Sequence, residues 1–190
     1  MFKSHPKGLL AAALSNMGER FGYYIMNAVL ALFLCSKFGL AEGQAGLIYS
    51  IFYAGIYILS LVGGLIADKT QNYKGTIMTG LAIMASGYVV LSIPVLATPQ
   101  NSSFLLTVTC LALFLIAFGN GLFKGNLQAI VGQMYDNFEA EEAKKGEEAL
   151  AIAKDKRDSG FQIFYVFINV GGVIAPFVAP LLREWWLKTN

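Results

Sequence analysis

Charge is scarce in this chain of 190 residues: Asp, Glu, Lys and Arg make up 14%, where a soluble domain carries about a quarter. Histidine occurs once, as His5, and cysteine twice, as Cys35 and Cys110. A lone histidine with no Cys, Asp or Glu at ligand spacing does not make a metal site. Nor is there a Ser/His/Asp or Cys/His arrangement for nucleophilic catalysis, so neither an enzyme nor a cofactor is expected. Both cysteines lie inside apolar blocks and read as buried thiols, because a disulfide framework belongs to small, loop-rich chains. The net charge of +2 is too small to argue for a nucleic-acid partner.

What fills the chain instead is apolar sequence, 56% of it, in blocks of roughly the 20 residues a helix needs to cross a bilayer. Five spans are expected, at residues 9–34, 45–66, 76–96, 104–134 and 161–182. All should be helical, since a membrane span must satisfy its own backbone hydrogen bonds. The chain is thus predicted to be an all-α membrane protein in contact with lipid. The first apolar stretch follows Lys3 and Lys7 as a secretory leader would. It runs on past Glu19 and Arg20 to Leu34 without a convincing cleavage site, so it is expected to be retained. Three connections are short. The fourth, 135–160, is rich in Glu, Lys and Ala; it can form a helix of its own, with Glu141 and Lys145 as an i,i+4 pair, and reads as a solvated face. The N-terminal arm, the second connection and the fourth connection carry nine basic residues, including Lys3 and Lys7, against three on the other side (Lys37, Arg183 and Lys188). The richer side is expected to be cytoplasmic, which puts the N-terminus inside, Asn190 outside, and Trp185 and Trp186 in the outer aromatic belt.

Three charges fall inside spans: Glu19, Arg20 and Lys124. Such charges are costly in a bilayer and face a bundle interior or a watery cavity. Glu19 stands 12 residues beyond Lys7, and Lys124 stands 12 before Asp136. Twelve helical residues rise about 18 Å, and a hydrocarbon core is about 30 Å thick. Both charged centres are therefore expected near mid-depth, where they would meet if the first and fourth spans are neighbours. Glycines cluster around them, as Gly18 and Gly22 in one span and Gly119, Gly121 and Gly125 in the other. If the spans form two three-helix repeats, these glycine-interrupted, charged spans are equivalent, which points to a midplane transport site. The segments 62–67 and 170–175, Val-Gly-Gly-Leu-Ile-Ala and Val-Gly-Gly-Val-Ile-Ala, echo such a repeat. The run Gly63-Gly64-Leu65-Ile66-Ala67-Asp68-Lys69 resembles the signature loop of the major facilitator superfamily, in which Asp68 and Lys69 would act as a gating latch between helix ends.

The residues then become specific. Asn16-Met17-Gly18-Glu19-Arg20-Phe21-Gly22-Tyr23-Tyr24 resembles the ExxERFxYY motif of the proton-dependent oligopeptide transporter family. Residues 119–126, with Lys124, are similar to its fourth-helix motif, and residues 161–172 to its fifth-helix signature. The resemblance implies five helices of an incomplete N-terminal six-helix bundle of the major facilitator type. It further implies uptake of di- and tripeptides, with protons as the coupling ion and no other cofactor. It assigns Glu19, Arg20 and Lys124 to proton coupling, with Arg20 and Lys124 at the peptide carboxylate. Tyr23, Tyr24, Tyr57 and Asn169 are assigned to the substrate pocket. A bacterial inner membrane is the expected location, and a second helical bundle is expected to be needed for transport.

One departure from the family stands out: the first acid of ExxER is Asn16 here. Glu19 then faces Arg20 and Lys124 with a nominal excess of one positive charge, and Glu19 alone is expected to titrate. The excess is also compatible with transport of another anionic solute on the same scaffold. The chain length suggests a fragment, or a self-standing five-span regulator of a full-length transporter.

Overall fold

The computed structural model describes residues 5–189, without the side chains of Trp186, Leu187 and Thr189. Lys3, Asn190 and the Trp186 side chain, which entered the expected topology, lie outside the described residues. Among the described residues there are five helices: α1 Leu9–Phe38, α2 Glu42–Thr70, α3 Tyr73–Leu91, α4 Ser102–Ala143 and α5 Glu147–Thr189. Each is long and apolar enough to cross a membrane. The surface agrees with that reading. Leu61, Leu65, Phe104 and Phe177 are each about 70% exposed (73%, 69%, 69% and 71%), which a lipid-facing helix requires and a water-facing one cannot tolerate in such number. The protein is an integral membrane protein of the all-helical class.

Helix ends follow local chemistry. The Asn72 side chain caps α3 by accepting from the Gly75 amide at 2.9 Å, and Gln71 closes α2 in the left-handed conformation, φ 53°. The apolar run of the third span reaches residue 96, but α3 ends at Leu91, because Pro94 bars its predecessor from helical geometry and offers no amide. The charged segment 135–160 is not a separate helix. α4 runs through it to Ala143 and α5 begins at Glu147, with Gly146 at φ 130° making the turn, a conformation reserved for glycine. With 42 and 43 residues, α4 and α5 are each about 60 Å long, twice a hydrocarbon core. Arg157 joins the two extensions, with its Nη1 donating to Asp136 Oδ1 at 2.7 Å and Glu139 Oε1 at 3.3 Å.

The chain divides into two compact units. One comprises Met1–Ala28 and Gln128–Asn190, that is, the first part of α1, the end of α4 and α5. Its core holds Leu9, Tyr23, Val131, Tyr135 and Phe164, all 4% exposed or less. Here α5 meets α1 without a side chain between them: a Cβ on Gly171 would stand 2.5 Å from the Met17 carbonyl oxygen. The other unit, Val29–Leu127, holds α2, α3 and the apolar part of α4. Its core includes Phe52, Ile56, Ile116 and Phe123, all 5% exposed or less. In it Gly63 of α2 packs on the backbone of Gly121, and Gly80 of α3 on that of Gly119.

Candidate transport site

In the unit built from the two ends of the chain, α1 buries a charge pair between neighbouring residues. Arg20 Nε donates to Glu19 Oε2 at 2.5 Å and Nη2 to Oε1 at 2.7 Å. Glu19 and Arg20 are only 8% and 6% exposed. The guanidinium also lies over the Tyr23 ring, 4.8 Å from its centre, which adds a cation–π attraction. Tyr23 is buried and Tyr24 is 38% exposed. The Tyr24 ring rests against Gly172 of α5, where an added Cβ would come within 3.0 Å. Of the two tyrosines, Tyr24 is therefore the one a solute could reach. Asn169 stands on α5 one turn from Tyr165, and both are exposed; the Tyr165 hydroxyl accepts from Gln128 Nε2 at 3.5 Å.

In the other unit, Lys124 of α4 is half-buried and its Nζ stands 4.4 Å from the centre of the Tyr57 ring. Two features fix that register. Asn126 Nδ2 donates to the Gly63 carbonyl at 3.0 Å, and Gly121 lies on the Leu59 backbone. At the end of α2, Asp68 accepts from the Tyr73 hydroxyl at 2.6 Å. Among the described residues Lys69 makes no ion pair.

Each unit thus gathers part of the expected set: Glu19, Arg20, Tyr23, Tyr24 and Asn169 in one, Tyr57, Lys124, Asp68 and Lys69 in the other. The glycines behave differently from the expectation. Of the glycines clustered near the charges, Gly18, Gly22 and Gly125 face open space, whereas Gly119 and Gly121 make close approaches, as do Gly63 and Gly171 elsewhere. The repeat gains a register from this. Gly63 packs on Gly121, three residues before Lys124, and Gly171 packs on Met17, three residues before Arg20.

Two residues escaped the sequence reading. Tyr165 precedes Gly171 by six residues, as Tyr57 precedes Gly63, so the repeat itself could have marked it. Asn27 has a buried side-chain oxygen with no hydrogen-bond partner among the described residues. With Asn16, Arg20 and Tyr23 it falls at helical spacing on one stripe of α1, a pattern visible in the sequence.

Each unit holds charge that a soluble core seldom buries: a carboxylate with its guanidinium over Tyr23 in one, and an ammonium over Tyr57 in the other. A family model described as the POT family matches residues 74–187. The chain is 34% identical over 190 residues to a di-/tripeptide transporter of Lactococcus lactis subsp. cremoris, covering 96% of this chain and 33% of that protein. It is 34% identical over 194 residues to the peptide transporter YePEPT of Yersinia enterocolitica subsp. palearctica, covering 100% of this chain and 33% of that one. Among solved structures, a bacterial homologue of the human drug peptide transporters PepT1 and PepT2 superposes with a TM-score of 0.76 at 28% identity, over 96% of this chain and 34% of that one. The chain spans about a third of the length of the curated relatives it matches. On the motif around Glu19 and Arg20, the helical fold and these matches together, the chain belongs to the POT family, the proton-dependent oligopeptide transporters.

Proposed function

We propose that this chain provides the first helices of a transporter that takes up di- and tripeptides together with protons across a bacterial inner membrane, with the N-terminus in the cytoplasm. The buried Glu19–Arg20 pair carries the proposal. A carboxylate and a guanidinium removed from water hold one another strongly, and breaking such a pair costs about 3–5 kcal/mol unless another charge takes the vacated place. A proton on Glu19 cancels its charge and releases Arg20 to a second anion, and a peptide's carboxylate is such an anion. Lys124, over Tyr57, supplies the second cation. Tyr24 and Asn169 supply the polar wall along which the peptide backbone lies. The peptide carboxylate then replaces the Glu19 carboxylate at Arg20 only while Glu19 holds a proton, so proton and peptide are bound together, and that joint binding is the coupling. Rocking one bundle against a second around such a site gives alternating access, so the second bundle of the family is a required partner. Asp68 and Lys69, at the end of α2, serve as a gating latch between helix ends.

A second reading rests on Asn16. With that position uncharged, the set sums to one positive charge, which favours an anionic solute other than a peptide, such as nitrate or an organic acid. Competition separates the two. In cells expressing the whole reading frame, unlabelled di- and tripeptides are expected to suppress uptake of a labelled dipeptide, while nitrate and dicarboxylates leave it unchanged. Uptake of labelled nitrate or organic acid that dipeptides fail to suppress would overturn the peptide reading.

A further inference from the structure

α2 sorts its side chains by face. Successive residues of a helix point about 100° apart. On that wheel the buried residues Ala45, Phe52, Ile56, Gly63 and Ala67 fall in one sector about 60° wide. The five most exposed aliphatic residues, Leu47, Ile51, Ile58, Leu61 and Leu65, are 62–73% exposed and fall on the opposite side, which is the lipid face. The polar side chains between Ala45 and Ala67 are Tyr49, Ser50, Tyr53, Tyr57 and Ser60. All of them lie in a single sector about 100° wide, on one shoulder between the packed face and the lipid face. Tyr53 and Tyr57 are 42% and 49% exposed there. Ser50 and Ser60 donate back to the Gly46 and Ile56 carbonyls, and the tyrosine hydroxyls stand off the lipid face.

Along that shoulder the three tyrosines form a ladder at i, i+4 and i+8. Tyr49 and Tyr53 stack, with centres 6.3 Å apart and planes 14° from parallel. Tyr53 and Tyr57 are tilted, with centres 5.2 Å apart, and their hydroxyl oxygens are 3.1 Å apart in a hydrogen bond. The lowest rung, Tyr57, carries the Lys124 ammonium 4.4 Å from its centre. The ladder therefore runs from the Glu42 end of α2 down to the cation. A tyrosine exposed on a helix face turns freely about its side-chain bonds; this one is clamped by a hydroxyl bond on one side and a ring contact on the other.

We propose that Tyr53 is a positioning residue of the peptide site: through its hydroxyl bond it holds the Tyr57 ring beneath Lys124, and so fixes where the ammonium meets a substrate carboxylate. The inference rests on the reading that Lys124 receives that carboxylate, and it adds a residue outside the three signature segments. Loss of the hydroxyl lets the Tyr57 ring rock and spreads the ammonium over several places, which weakens its hold on a carboxylate and leaves the rest of the peptide unaffected.

The test uses the transporter expressed from its whole reading frame, reconstituted in proteoliposomes. The substrates are dialanine and dialanine amide, which differ in the carboxylate. The wild type is expected to favour the acid. Tyr53→Phe keeps the ring and the stack but removes the bond. It should raise KM for the acid by about threefold to tenfold, the worth of one hydrogen bond, with kcat and the amide's KM within about twofold. Tyr57→Phe removes the same bond from the other side and should show at least the same loss. The double variant should be no worse than Tyr57→Phe alone, because coupled partners are non-additive. An acid-to-amide preference unchanged in both single variants would overturn the role of Tyr53. A wild type that transports dialanine but does not distinguish acid from amide would overturn the carboxylate reading of Lys124, and this inference with it. A uniform fall in kcat for both substrates would assign Tyr53 to folding alone.

Discussion

At the scale of single residues, the membrane makes charge informative. Among the described residues three charged side chains fall deep within the spans, and each sits where packing or chemistry demands it: Arg20 clamped to Glu19 and stacked on Tyr23, Lys124 over Tyr57. Charge and family motif together made Glu19, Arg20 and Lys124 legible in the sequence. Tyr53 was not, because a motif selects by residue order and its hydroxyl bond to Tyr57 comes from the helical geometry; Asn27 lay outside the motif, on a stripe that helical spacing alone shows. Lys124→Ala should raise KM for dipeptides at least tenfold while leaving the amount of protein in the membrane unchanged, read by uptake kinetics against an immunoblot. His5 sets a second expectation, outside the membrane. Its Nδ1 is 2.7 Å from the Tyr135 hydroxyl, and burial first, then the charge of Lys156, lowers its pKa below 6.5. A histidine with a depressed pKa stabilises the fold above its unfolded value and loses that contribution as pH falls. The protection factors of the amides at the start of α1, corrected for the pH dependence of intrinsic exchange, should therefore be lower at pH 5 than at pH 7.5, and His5→Phe should flatten that difference.

At the scale of elements, apolar runs marked the five spans, but not where the helices stop. α4 and α5 continue well past their apolar parts because the charged segment pairs with itself through Arg157, Asp136 and Glu139. α3 stops short because of Pro94. The glycine clusters were legible, but their division of labour was not: whether a glycine meets another helix depends on which way it faces, and only the packing fixes that. The consequence can be measured. Gly63→Ala drives a methyl group into the Gly121 backbone, while Gly64 faces open space. Gly63→Ala should lower the melting temperature in detergent by several degrees, overpacking costing about 1–3 kcal/mol, whereas Gly64→Ala should leave it unchanged. Equal effects at both positions would mean that α2 packs through another face.

At the scale of the whole molecule, the chain spans about a third of the length of its relatives and carries Glu19, Arg20 and Lys124, the charges on which the proposal rests. The proposed orientation, with the N-terminus in the cytoplasm, rests on the basic residues of the connections, Lys7, Lys69, Lys74 and those along 144–157, and it can be tested. Cysteines placed at positions 71 and 144 should resist a membrane-impermeant thiol reagent in intact cells, and one at position 99 should react. The central claim is that a proton on Glu19 is what releases Arg20 to the peptide. It is tested most directly by imposing a pH gradient, acid outside, on proteoliposomes holding the transporter from its whole reading frame, and following labelled dipeptide in the wild type and in Glu19→Gln. The account predicts accumulation above equilibrium in the wild type. In the variant it predicts only gradient-independent exchange of peptide for peptide. Accumulation that still followed the gradient in Glu19→Gln would contradict it and move the proton to another group.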